Sequence, residues 1–171
     1  MNKFYLFLLV LIGSFSQGCS KLSENDNQCS FDACAVKAPN AEIQAVQQYL
    51  SANNITAVEH CSGLFYKVET PGTGKTPNTC SYIEAQFKGM LANGTIFQET
   101  QAGDNLKAYL SGSIIRGWKI GVPLLKAGGK ITLYIPPTLG FGATDVKDNN
   151  NNVVIPANSI TIFEIQLVAV Q

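Results

Sequence analysis

The chain of 171 residues is 46% hydrophobic, and its twelve Lys+Arg balance twelve Asp+Glu to no net charge. That suits one ordinary domain with an appendage and a single core. No basic run and no basic patch interleaved with aromatics is present, which argues against nucleic acid as a partner.

Residues 1–18 read as an export signal. Lys3 gives a minimal positive start, Phe4 to Ile12 is an uninterrupted apolar run, and small or polar residues follow to Gly18. The run is too short to span a bilayer as a permanent helix. Cys19, directly after Gly18, resembles the lipobox cysteine of bacterial lipoproteins, whose thiol is diacylated and becomes the new N-terminus. Ser16 stands where that pattern usually has leucine, and ordinary secretion is the alternative. The expectation is an exported protein held through Cys19 on a membrane, at the outer membrane or its periplasmic face.

Four further cysteines, Cys29, Cys34, Cys61 and Cys80, make an even number in an oxidising compartment, where disulfides persist. Three pairings are open. Cys29–Cys34 with Cys61–Cys80 is preferred, because the second bond would tie two neighbouring strand-like segments and close a loop worth about 3 kcal/mol in the chain-entropy model. With no C-x-x-C pair and His60 as the lone histidine, zinc is not expected, nor is any other metal or cofactor.

Residues 19–39 form the expected tether, polar from Ser20 to Asn27 and carrying Cys29 and Cys34. Over residues 40–60 an amphipathic helix and linker are predicted. Asn40 is placed as the cap, Ile43, Val46 and Leu50 recur at spacings of three and four, and Asn53-Asn54 ends the helix. Its apolar stripe is expected to pack on the main domain or on a second copy, which would make a homodimer. It has no basic face, which argues against a membrane role.

Beyond His60 the period falls to two. Gly63 to Glu69 is strand-like, Pro71-Gly72-Thr73-Gly74 is a turn, and Ile83, Ala85 and Phe87 alternate with Glu84, Gln86 and Lys88. Asn93-Gly94 marks a tight reversal into Thr95-Ile96-Phe97. The stretch from Ile114 to Val122, with the only tryptophan, Trp118, suits a short helix laid across a sheet as the floor of a pocket, although Trp beside isoleucines also suits plain core. Ala127-Gly128-Gly129 ends the helical region. Ile131, Leu133 and Ile135 then alternate up to Pro136-Pro137, and Thr161, Phe163, Ile165 and Leu167 share one face of a last strand. The sum is an α+β layer arrangement, an antiparallel sheet with one short helix packed on it.

Taken in order, Tyr66-Lys67-Val68, Pro71-Gly72-Thr73-Gly74, Phe87 to Phe97, Ile114-Ile115-Arg116-Gly117-Trp118, Phe141-Gly142-Ala143, Ile155 to Ser159 and Phe163 to Leu167 resemble the FKBP-type peptidyl-prolyl isomerases. The resemblance covers about residues 62–171, and the domain is placed at residues 61–171. It implies an antiparallel half-barrel of five or six strands wrapped on a short helix, with an apolar pocket that takes a prolyl ring. Trp118 would be the floor. Phe87, Phe97, Gln98, Ile115, Phe141 and Phe163 fall at the family's catalytic positions, and Leu106, Ile114 and Ile155 would bind substrate. The Ile115 backbone N–H would donate to a peptide carbonyl.

The family usually carries tyrosine at the places of Phe87 and Phe141, aspartate at that of Gln98 and often phenylalanine at that of Leu106. The implied activity is rotation of Xaa–Pro bonds in exported or unfolded polypeptides, without covalent or acid–base chemistry. Its alternative is a non-catalytic, FKBP-like chaperone or protein-binding module that uses the same pocket or the loop lengthened by Asp148 to Asn152. No catalytic set competes, since Glu84 and Glu99 have no evident partner.

Overall fold

Alternation of apolar and polar residues builds the centre of the molecule. In the computed structural model, which describes residues 30–171, β3 (Tyr82–Leu91) and β9 (Thr161–Val170) pair antiparallel from Ile83 opposite Val170 to Leu91 opposite Thr161. The proposed signal, Cys19 and Cys29 lie outside the described residues. On its other side β9 pairs with β6 (Lys130–Ile135), which pairs with β2 (Phe65–Thr70), which pairs with the short edge β1 (Val58–Glu59). The far edge is shared: β4 (Ile96–Glu99) and β5 (Leu106–Tyr109) pair with opposite ends of β3. The sheet therefore has seven strands where five or six were expected. The surplus is the two-residue β1 and the divided outer position. A separate hairpin joins β7 (Val146–Lys147) to β8 (Val153–Ile155).

The inner face of the sheet carries Ile131, Leu133, Ile135, Phe163, Ile165 and Leu167, all buried. Helix α2 (Arg116–Gly121) lies against it and buries Trp118 and Ile120. Two glycines set how close the helix comes. A Cβ on Gly117 would stand 2.6 Å from the Ile135 side chain, and one on Gly121 would stand 2.5 Å from Leu133. Any larger residue there would push α2 off β6. The turn before β3 needs glycine for a different reason: Gly72 has φ +78°, and a Cβ there would meet the Lys126 carbonyl.

Helix α1 (Asn40–Ala52) covers part of the outer face. Ile43, Val46 and Leu50 are buried, and the Tyr49 ring lies 6.2 Å from that of Tyr134, on the β6 face opposite α2. The stripe predicted for this helix is thus buried within its own chain. Asn40 does not cap it. Pro39 occupies the N-cap with extended backbone, no side chain bonds the first turn, and Asn40 is the first helical residue. At the other end the expectation holds, with Asn53 Nδ2 donating to the Tyr49 carbonyl and Asn54 turning at φ +53°.

The preferred disulfide pairing is overturned. Cys34 is bonded to Cys61, with Cα atoms 5.6 Å apart, which removes both Cys29–Cys34 and Cys61–Cys80. Cys80 is itself disulfide-bonded, with neither Cys34 nor Cys61 as its partner. The cause is the docking of α1. Its apolar stripe folds the chain back on the domain, so residues near 34 run beside the turn at residues 60–64, where the Ala38 N–H donates to the Ser62 carbonyl at 2.9 Å. Proximity along the chain had favoured Cys29 with Cys34; burial of a helix decides otherwise.

Candidate active site

Five aromatic rings converge where α2 meets β3, β4 and β9. Trp118 meets Phe87 at 5.3 Å and Phe163 at 5.6 Å between ring centroids, both edge to face. Phe163 meets Phe97 at 5.6 Å, and Phe97 meets Phe141 at 5.8 Å, again edge to face. Such T-shaped pairs satisfy the ring quadrupoles and fix the ring planes. Trp118 and Phe163 are 3% and 4% exposed and form the base. Phe87, Phe97 and Phe141 remain partly open and form the walls.

The other predicted residues divide. Leu106, Ile114 and Ile115 are half-buried and pack against the same core. Ile155 is buried but sits in the β7–β8 hairpin opposite Val146, outside the main core cluster. Gln98 is exposed on β4 opposite Gly89, directly after Phe97. The loop with Asp148 is an ordered hairpin tip. The Asp148 carboxylate accepts from the Asn150 and Asn152 N–H groups and from Asn152 Nδ2 at 2.8–3.0 Å, bonds that hold its pKa below the usual carboxylate value.

None of the five rings bears an ionisable group, so the cluster offers no proton donor, nucleophile or metal ligand. It does offer a backbone donor. Ile115 is the N-cap of α2, and among the described residues its N–H reaches no acceptor, while the neighbouring Ile114 N–H donates to Gly112 at 2.8 Å. A donor left open beside an apolar, aromatic floor is suited to a carbonyl brought by a ligand. His60 is remote in role. Its Nδ1 accepts from the Ser62 N–H at 3.2 Å and lies 3.0 Å from Ser62 Oγ beside the Cys34–Cys61 bond, and burial lowers its pKa.

Sequence reasoning missed two supports of the site. Thr100, directly after β4, clasps the middle of β3, its Oγ1 accepting from the Phe87 N–H at 3.0 Å while its own N–H donates to the Phe87 carbonyl at 3.0 Å. Gly89 lies under the rings, where a Cβ would come within 2.8 Å of both Phe163 and Phe97. A glycine interrupting an otherwise alternating strand was the available signal. A second concavity, about 460 Å³ and open to solvent, lies on the outer face among Glu69, Lys88, Lys130, Thr132 and Glu164. The Lys88–Glu164 ion pair at 2.8 Å and the polar lining suit water rather than a prolyl ring.

A profile of the FKBP-type peptidyl-prolyl cis-trans isomerases matches residues 74–168. The chain is 38% identical over 113 residues to the isomerase FkpA of Buchnera aphidicola subsp. Schizaphis graminum, covering 64% of this chain and 42% of that protein. It is 35% identical over 111 residues to FkpA of Escherichia coli K12, covering 64% and 38%. The chain thus spans less than half the length of these relatives. Among solved structures it resembles a peptidyl-prolyl cis-trans isomerase of Pseudomonas syringae pv. tomato with TM-score 0.64 at 27% identity, covering 80% of this chain and 98% of that one. The crystal structure of Escherichia coli FkpA also gives TM-score 0.64, at 28% identity, covering 77% of this chain and 60% of that one. With the profile spanning more than half of the chain and the sheet, short helix and ring cluster in place, the chain belongs to the FKBP-type peptidyl-prolyl cis-trans isomerase family.

Proposed function

We propose that the chain accelerates cis–trans rotation of Xaa–Pro bonds, with the prolyl ring seated on Trp118 between Phe87, Phe97, Phe141 and Phe163. Leu106, Ile114 and Ile155 would line the approach, with Gln98 at the rim. The observation that carries this reading is the open Ile115 N–H beside the aromatic base.

Rotation must break amide resonance against a barrier of about 18–20 kcal/mol, and uncatalysed it takes tens to hundreds of seconds. The planar amide is charge-separated and well solvated, whereas the twisted one is less polar. An apolar seat that removes water raises the planar form relative to the twisted form, and a donor that holds one peptide carbonyl fixes the chain while the bond turns. Neither step needs a proton or a nucleophile.

The substrates proposed are unfolded, proline-containing polypeptides met after export. Anchoring through Cys19 belongs to the same proposal, supported by residues 1–18 and by disulfides that suit an oxidising compartment. No helix among the described residues is long and apolar enough to cross a membrane. Because the α1 stripe is buried in its own chain, a homodimer through residues 40–60 would need another face of that helix.

Exchange NMR on an Ala-Pro peptide, with the chain from residue 20 and with Trp118→Leu, tests the site. Acceleration by the wild type that Trp118→Leu reduces at least about tenfold is expected. A folded wild type that binds the peptide without accelerating it would leave a protein-binding module in place of an enzyme.

A further inference from the structure

We propose that Glu42 is a positioning residue for the pocket, acting through Thr138 on Phe141, as one arm of a brace that the N-terminal extension lays across both pocket-bearing segments. This inference rests on the isomerase reading above. Glu42 Oε2 accepts from the Thr138 N–H at 2.8 Å, and Oε1 accepts from the Thr138 hydroxyl at 2.7 Å. The partners are 96 positions apart in the chain, and both bonds are charge-assisted, hence short and directional.

Thr138 sits in the 3-10 turn Pro137–Leu139 that precedes Phe141. In that turn the Pro137 carbonyl accepts from both the Gly140 and the Gly142 N–H at 2.9 Å, which pins the backbone on either side of Phe141. A displacement of Thr138 therefore passes directly to the Phe141 ring and to its edge contact with Phe97.

The second arm holds the segment that carries the base. Arg116, the first residue of α2, lies with its guanidinium 4.7 Å over the Phe31 ring, and its Nη2 donates to the Asp32 carbonyl at 2.9 Å. Ile115 precedes it, and Trp118 follows two residues later. The extension thus touches the start of α2 and the turn before Phe141, and the Cys34–Cys61 bond ties it between them. Docking of α1 does not depend on Glu42, because Ile43, Val46 and Leu50 are already buried. The effect of its carboxylate falls on the turn.

The test compares Glu42→Ala, Glu42→Gln and Gln47→Ala by exchange NMR on the same Ala-Pro peptide. Gln47 makes a different contact of the same helix, its Nε2 donating to Glu59 at 3.3 Å on the far edge strand β1. Glu42→Ala should lower kcat/KM about three- to tenfold. Glu42→Gln should restore it, since the amide oxygen can accept from the Thr138 N–H and the amide nitrogen can donate to its hydroxyl. Gln47→Ala should remain at the wild-type value. Wild-type kcat/KM in Glu42→Ala, or an equal loss in Gln47→Ala, would overturn the brace. If the wild type itself is inactive, the isomerase reading fails separately. The brace is then decided by the Phe141 and Phe97 ring resonances, which Glu42→Ala must shift and Gln47→Ala must not; unmoved rings would overturn it.

Discussion

Gly89 shows how little slack the site has. It is buried in β3, and a methyl group there would have to displace both Phe97 and Phe163, whose own edge contact holds the pocket together. Overpacking of this kind costs about 1–3 kcal/mol. Gly89→Ala is expected to lower stability by that amount in urea unfolding and to weaken peptide binding at the same time. A loss of stability with unchanged binding would mean that the rings move away from the seat rather than into it. His60 makes a separate prediction about pH. Its burial lowers the folded pKa below the unfolded value of about 6.5, so the unfolded chain takes up the proton first as pH falls. Stability is then complete above about pH 6.5 and declines below it until the folded form also protonates. Thermal unfolding should show a shallow loss of Tm as pH falls through about 6.5 that His60→Gln flattens. If both proteins follow one curve, His60 is not the group responsible.

The elements differ in how plainly the sequence announces them. Strands β3, β6 and β9 and the stripe of α1 could be read directly, because one face of each is buried and the period of two or of three and four follows from that. Trp118 stood out from its own stretch, Phe87, Phe97, Phe141 and Phe163 through family resemblance, and the structure brings them together as five touching rings. What stayed illegible is what depends on docking between distant segments. The Glu42–Thr138 bonds and the clasp of Arg116 by Phe31 and Asp32 join residues 84 or more positions apart, and no local pattern reports them. Asn40 does not cap the helix because Pro39, with extended backbone, holds the N-cap and Asn40 is already helical. The seventh strand escaped because β1 is only two residues long and buries neither side chain, so it has no alternation to show. Gln98 came from the family position alone, and its side chain is exposed on β4.

Across the whole molecule, the sheet separates two kinds of support. Helix α2 on the inner face is held by burial and by the close approach that Gly117 and Gly121 permit, whereas the extension on the outer side is held by a small apolar stripe, by the hydrogen bonds of Glu42 and Arg116, and by the Cys34–Cys61 bond. The bond spans a sequence separation of 27. Closing a loop of that length contributes about 3.5 kcal/mol in the chain-entropy model, comparable with burying one or two of the α1 side chains. The double variant Cys34→Ser/Cys61→Ser, which leaves the bond of Cys80 in place, should therefore lose about 3.5 kcal/mol in denaturant unfolding. The location of the loss distinguishes two arrangements. If α1 and the sheet unfold as one unit, a single transition moves to lower denaturant with its slope retained. If the disulfide is what couples them, hydrogen exchange should quicken across Asn40–Ala52 while the amides of β3 and β9 stay protected. Burial of Ile43, Val46 and Leu50 favours the single unit, because it ties α1 to the core independently of the sulfurs. A variant whose α1 amides exchange freely while the sheet keeps its wild-type unfolding curve would overturn that expectation.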